Sequence, residues 1–212
     1  FTDIVTNANS AATQFQWTCD QVLPTLAITA AATSGAVSSG STTNDDNLTL
    51  TFTSSKATTT FTELADITVS GGELSAFTAS SSTIYTAVFS PTAVTDEGTY
   101  TITVAAGKIV DAYDNATSSD SIFTWTRDIT PPTMTITAAT SGGTSVTTDS
   151  VSNASSLVFT LTSSSVASGF EVGDIVITTD GTTMGDTTSV LSSFDATNDP
   201  IHTVTFTPAS DG

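Results

Sequence analysis

The sequence predicts an all-β protein built from β-sandwich modules in tandem, with a period of about 108 residues, on three observations. One stretch occurs twice: Phe15, Trp17, Asp20, Pro24 and Ile28 recur as Phe123, Trp125, Asp128, Pro132 and Ile136, each offset by 108 residues. A domain-sized period marks a tandem array. Next, short runs of alternating apolar and hydroxylated residues are separated by turn residues, about seven per hundred residues, which is the pattern of a sandwich. Last, Ser and Thr dominate a 212-residue chain in which charged residues are only 11%. Thr, Val, Ile and Phe suit a pleated, half-buried surface. The regular alternation argues against disorder, because disordered chains lack the apolar residues that offset ordering entropy.

Taken in order, residues 1–20 read as the loop and C-terminal strand of a preceding module. Asp3 and Asn7 answer Asp111 and Asn115. Phe15 and Trp17 point one way and Gln16 and Thr18 the other, the period of a strand. The chain thus starts in mid-module, and a leader peptide would lie upstream of it.

Residues 21–128 form a complete module. Leu26 and Ile28 begin a first strand, followed by a Gly/Ser/Thr-rich loop from about Thr33 to Asn47. Leu48, Leu50 and Phe52 then face inward from a strand whose threonines face water. Ile67 and Val69 lead to a turn at Gly71-Gly72, and Leu74 and Phe77 continue the next strand. Tyr85, Ala87 and Phe89 alternate before Pro91. Tyr100, Ile102 and Val104 make a further strand, and Phe123 with Trp125 closes the module. No segment has helical periodicity beyond a turn.

Residues 129–212 repeat the program. LVFTLTSS (157–164) answers LTLTFTSS (48–55), GDIVIT (173–178) answers ADITVS (65–70), and IHTVTFTP (201–208) answers IYTAVFSP (84–91) after an insertion around Thr182–Ser189. Asp211-Gly212 matches Glu97-Gly98. Counterparts of the last two strands are not in this stretch. A sandwich without them presents an open apolar face and unpaired edges. Either a longer array continues into those strands, or a neighbouring subunit supplies them by strand addition, giving a self-assembling filament.

The formal net charge of −18, from 21 acidic residues against Lys56, Lys108 and Arg127, excludes nucleic acid and anionic membrane as partners, since phosphate binding needs clustered Lys or Arg. Cys19 is the only cysteine, so no intrachain disulfide forms, and its counterpart in the next copy is Arg127. No apolar run is long enough to cross a bilayer. No catalytic set is present. His202 is the sole histidine and stands where the other copy has the inward-facing Tyr85, a structural position rather than that of a general base, which needs a positioned partner. There is no Gly-x-Ser-x-Gly elbow, phosphate loop or zinc spacing, and repeats without elaborate loops offer no cleft for a carboxylate pair. The chain reads as a non-enzyme with no cofactor other than the ion considered below. Sequons at Asn47, Asn115 and Asn153 would carry glycans in a eukaryotic secretory protein. Asn47 and Asn153 read as opening equivalent strands.

With DITPPTMTITAATSG, LTLTFTSS, DITVSGG and the DAYDN loop aligned, the chain resembles the tandem bacterial-type Ig-like modules of large surface and adhesin-like proteins. The resemblance covers essentially the whole chain. It implies Ig-like sandwiches serving as spacers in an extracellular or cell-surface rod, with calcium at the module junctions. Many members carry Asp-x-x-Gly-Asn in the loop, whereas Thr6 and Asp114 stand at the glycine position here. In an Ig topology the loop between the last two strands lies beside the incoming linker, which would bring Asp111, Asp114 and Asn115 near Asp20. At the other end Asp45, Asp46, Asp96 and Glu97 would approach Asp128. Calcium takes six to eight oxygens, which such clusters supply from carboxylates and carbonyls; the bland alternative is that these acids form solvated turns.

The sequence thus points to a structural spacer of a filament or adhesin, its modules joined at Pro24 and at Pro131-Pro132, where proline restricts φ. Its partners are adjacent modules or neighbouring copies, with a surface ligand unspecified. The alternative is a module binding carbohydrate or protein, which needs exposed aromatics such as Trp17 and Trp125 together.

Overall fold

The computed structural model describes residues 1–62, 64–179, 182–183 and 190–208. The chain divides into two compact units, Phe1–Ile129 and Thr130–Gly212. Among its described residues unit 1 has nine strands: β1 (Leu26–Ala32), β2 (Gly35–Val37), β3 (Thr42–Thr43), β4 (Leu48–Ser54), β5 (Ile67–Val69), β6 (Gly72–Ala79), β7 (Ile84–Pro91), β8 (Gly98–Val104) and β9 (Ser121–Arg127). They form two sheets, β2-β1-β4-β7-β6 and β3-β9-β8-β5. All pairs are antiparallel except β3 with β9, which is parallel.

The two sheets bury one core. Leu48, Leu50 and Phe52 from β4, Tyr85, Ala87 and Phe89 from β7, Tyr100, Ile102 and Val104 from β8, and Phe123 and Trp125 from β9 are all buried. These are the alternate positions that the sequence marks as inward. Phe89 and Trp125 meet edge to face across the sheets with ring centroids 6.1 Å apart, a favoured aromatic geometry. Burying each such side chain contributes about 1.5–3 kcal/mol. The Gly71-Gly72 turn is fixed by close approach: a Cβ on Gly72 would lie 2.5 Å from the Phe89 ring, and Gly71 has φ +70°.

Two expectations change here. The loop of residues 33–47 contains β2 and β3, which at three and two residues are too short to show alternation. Through β3 the chain crosses from one sheet to the other. And Phe15–Trp17 is not a strand: both rings are exposed, 87% and 74%, while their counterparts Phe123 and Trp125 are buried. The reason is pairing, since β9 lies between β8 and β3 and no described strand flanks Phe15–Trp17.

Unit 2 contains β10 (Met134–Thr140), β11 (Ser145–Val146), β12 (Leu157–Ser163), β13 (Thr178–Thr179), β14 (Thr182–Thr183), β15 (Val190–Asn198) and β16 (Ile201–Thr207). Its main sheet runs β11-β10-β12-β16-β15, strand for strand the order of β2-β1-β4-β7-β6. The likeness reaches single bonds. Thr25 N–H donates to Ser55 Oγ and Ser55 N–H to Thr25 O, both at 2.9 Å; Thr133 and Ser164 repeat the exchange at 3.0 and 2.9 Å. A 3-10 turn at Val172–Asp174 matches one at Leu64–Asp66. Ile175–Ile177, however, is not the strand that GDIVIT predicts, because β5 is held by β8 and no described strand stands in that place. An apolar hollow lined by Ile136, Phe159, Leu161, Ile175, Val204 and Phe206 opens on the inner side of this sheet. Of the insertion at Thr182–Ser189, Thr182 and Thr183 belong to β14; residues 184–189 and the Asp211-Gly212 match lie outside the described residues.

Candidate functional site: the two ends of unit 1

The loop between β8 and β9 is built around one carboxylate. A bridge between Val110 and Ala116 closes it, and Asp111 N–H donates to Asn115 O at 2.9 Å. Asp111 Oδ1 accepts the backbone N–H of Tyr113 and of Asn115, at 2.8 and 3.0 Å; its Oδ2 accepts Asn115 Nδ2 at 3.0 Å. Asp114 is exposed with φ +64°, the left-handed conformation that Asp tolerates better than most residues. The loop at Asp3–Asn7 repeats this arrangement. Asp3 Oδ1 accepts the N–H of Val5 and of Asn7 at 2.9 Å each, its Oδ2 accepts Asn7 Nδ2 at 2.8 Å, and Thr6 has φ +69°. Thr6 and Asp114 therefore keep the conformation a glycine would take, and the substitution leaves the loop intact.

The incoming segment meets this loop through a lysine. Lys56, in the turn after β4, is pinned by Ser54: its N–H donates to Ser54 Oγ and its carbonyl accepts from the same hydroxyl. From there its Nζ donates to Asp111 Oδ2 and to Asp20 Oδ2, both at 2.8 Å, and to Val22 O. Asn115 Nδ2 also donates to Asp20 O at 3.2 Å, and Val22 N–H to Asp20 Oδ1 at 3.0 Å. The Lys56 hydrogen bond, joined by those from Asn115 and the loop N–H groups, holds the Asp111 carboxyl far below the usual carboxylate range. Asp20 is lowered, first by Lys56 and then by the Val22 N–H. Lys56 is raised by Asp111 and Asp20 in turn. Opposite charge at hydrogen-bond distance favours the ionised form of each partner.

The other end is organised around Arg127, the last residue of β9, with its side chain 2% exposed. Its Nε donates to Asp45 O at 2.9 Å, Nη1 to Val94 O and Asp96 O at 2.8 Å each, and Nη2 to Asp46 Oδ1 at 2.6 Å. The planar five-donor guanidinium satisfies several acceptors at once, and burial of its charge is tolerated because it is so fully bonded. Asp45 turns its carboxylate to Ser34, whose N–H and hydroxyl donate at 3.2 and 2.6 Å. Asp96 Oδ2 accepts Ala93 N–H, and Glu97 Oε1 accepts Ile129 N–H. Asp128 is exposed, and its N–H donates to Thr43 O.

The sequence-based site residues are thus brought together in part. Asp20, Asp111 and Asn115 converge, as expected of the N-terminal end; Asp114 does not join them through its side chain. Asp45, Asp46 and Asp96 converge on Arg127. At both ends the cation in contact is one the chain supplies, and among the described residues no group of three or more His, Cys, Asp or Glu is placed to hold a metal ion. Lys56 and Arg127 were missed as site residues. Their signal was scarcity: each of the chain's three cations makes an ion pair, Lys108 with Asp66 at 3.1 Å.

Of the sequons, Asn47 and Asn153 are exposed, but they are not equivalent: Asn47 directly precedes β4, whereas Asn153 lies four residues before β12. The Nδ2 that a glycan on Asn115 would substitute is engaged by Asp20 and Asp111. Pro24 is buried, while Pro131 and Pro132 are exposed. His202 is buried, stacked on Phe194 with centroids 6.0 Å apart and edge-on to Phe170 at 5.1 Å. Tyr85 sits likewise between Phe77 and Phe61. The tyrosine hydroxyl donates to Thr58 O and Ser82 O; the His202 nitrogens have no hydrogen-bond partner among the described residues, although Asp199 Oδ1 lies 3.5 Å from Nε2. Cys19 is exposed. Among the described residues no helix is long and apolar enough to cross a membrane.

A family model described as bacterial Ig-like domain matches residues 20–126, half of the chain. No curated protein and no solved structure matches it.

Proposed function

This chain belongs to the bacterial Ig-like domain family, and from that premise we propose that it is a non-catalytic spacer segment of a secreted or cell-surface filament or adhesin. The observation that carries the reading is the clamp between β3, in the first part of the module, and β9, its last strand. Their parallel register pairs Thr42 with Thr126 and Thr43 with Arg127. Gly40 N–H donates to Thr124 O at 2.8 Å, Thr126 N–H to Ser41 O and Asp128 N–H to Thr43 O at 3.0 Å each. Trp125 Nε1 adds a bond to Thr43 Oγ1, and Arg127 adds two, to Asp45 O and Asp46 Oδ1 just after β3. Pulling the chain's ends apart loads these bonds in shear, so they must break together rather than one at a time. The carboxylates and hydroxyls of the outer surface keep such a rod soluble with few lysines. A carbohydrate-binding face is not favoured: it asks for both tryptophans in solvent, and Trp125 is buried in the core.

The test is single-molecule force spectroscopy on the full 212-residue chain. A discrete unfolding event is expected for unit 1, lengthening the chain by on the order of 30 nm at roughly 3.6 Å per residue. Featureless extension would remove the mechanical reading.

A further inference from the structure

We propose that Lys56 is the resident cation of the module's N-terminal end, its ammonium filling an oxygen cage and strapping Asp20–Val22 to the module, so that the strap holds without divalent ions. As a statement about a stiff spacer this rests on the reading above; as a statement about the strap it stands on the contacts alone.

An ammonium has three donors and no acceptor. Three oxygens meet it, from Asp20, Val22 and Asp111, so its capacity is used. The surrounding groups are complementary to an ammonium rather than to a bare ion. Asp111 Oδ1 is taken by two backbone N–H groups, which prevents it from acting bidentately. Asn115 turns its Nδ2, a donor, toward Asp20 and Asp111, where a cation ligand would present oxygen. Calcium takes six to eight oxygens, waters included, and the chain brings three to this point. The strap also crosses a long stretch of sequence: Asp20, Lys56 and Asp111 come from the incoming segment, the turn after β4 and the loop before β9. Without the ammonium, Asp20 and Asp111 would face each other as like charges, and the segment would lose its main anchor.

The chain carries its own reporter. Cys19 is exposed, is the only cysteine, and immediately precedes Asp20. A nitroxide attached there, on the full chain, reads the mobility of the strap by electron paramagnetic resonance. The unsubstituted chain is expected to show a slow-motion component that neither calcium chloride nor EDTA changes. Lys56→Met should lose that component. Asp20→Asn, which lies outside every strand and so leaves the sandwich folded, should lose most of it too. A label equally mobile in all three chains overturns the strap, and so does a spectrum of the unsubstituted chain that responds to calcium or EDTA. A mobile label beside an intact unfolding event would sink the strap and leave the spacer; an immobile label with featureless extension would do the reverse.

Discussion

Asp111 shows how a single side chain can organise an end of the module, and its titration is open to measurement. Its folded-state pKa is depressed, first by Lys56, so its contribution to stability is present above the ordinary aspartate range near 3.9. That contribution is lost only as pH falls through the lower folded value. Lys56 is raised from 10.5, so its share is complete below that value and disappears as pH rises through the folded one. The interaction should therefore be constant from about pH 4 to about pH 10. Carboxyl-carbon NMR is expected to show Asp111 titrating well below the ordinary aspartate range. In Lys56→Met its midpoint should rise toward the ordinary range without reaching it, because the Asn115 and Tyr113 donors remain; an unmoved midpoint would mean that Lys56 is not the principal cause.

An element takes its form from its neighbours as much as from its residues, and the two copies of the closing stretch make the comparison within one chain. Ser121–Arg127 is a strand because β8 and β3 flank it, and its Trp125 packs on Phe89 and Tyr100. Phe15–Trp17 has the same aromatic spacing, no described strand beside it, and rings in water. Substituting the two equivalent tryptophans should therefore give opposite results. Trp125→Ala is expected to cost unit 1 about 3–5 kcal/mol, whereas Trp17→Ala should fall within about 0.5 kcal/mol of zero. Urea denaturation followed by circular dichroism measures both, and equal losses would show that residues 15–17 pack in solution.

At the scale of the whole molecule, the two units share a sheet order but not a core. Among the described residues sixteen hydrophobic side chains are buried in unit 1 and two, Leu161 and Val204, in unit 2. At about 1.5–3 kcal/mol per large side chain, the described part of unit 2 has far less to offset its ordering entropy. His202 adds to the difference, being buried with no hydrogen bond among the described residues where Tyr85 makes two. Calorimetry of the 212-residue chain is expected to resolve two transitions. That of unit 2 should be lower by roughly 10 °C or more, since a kilocalorie moves the midpoint of a domain this size by about 4–8 °C. Trp125→Ala should shift only the upper one; a single cooperative transition would contradict the picture.

The sequence by itself determined the all-β class, the inward positions of β4, β7, β8 and β9, and the likeness of the Asp3 and Asp111 loops, because strand alternation and Asx turns are local properties of the chain. It also indicated that Asp20, Asp111 and Asn115 meet. It did not show β2 and β3, which are too short to alternate, nor that Ile175–Ile177 and Phe15–Trp17 would go unpaired, because a strand exists only beside another. Above all it did not show what meets the acidic residues. Lys56 lies 36 residues from Asp20 and 55 from Asp111, and Arg127 lies 81 from Asp46. Only the closure of the sandwich brings such distant charges within hydrogen-bond reach, so only the tertiary structure decided that the cations at both ends are the chain's own.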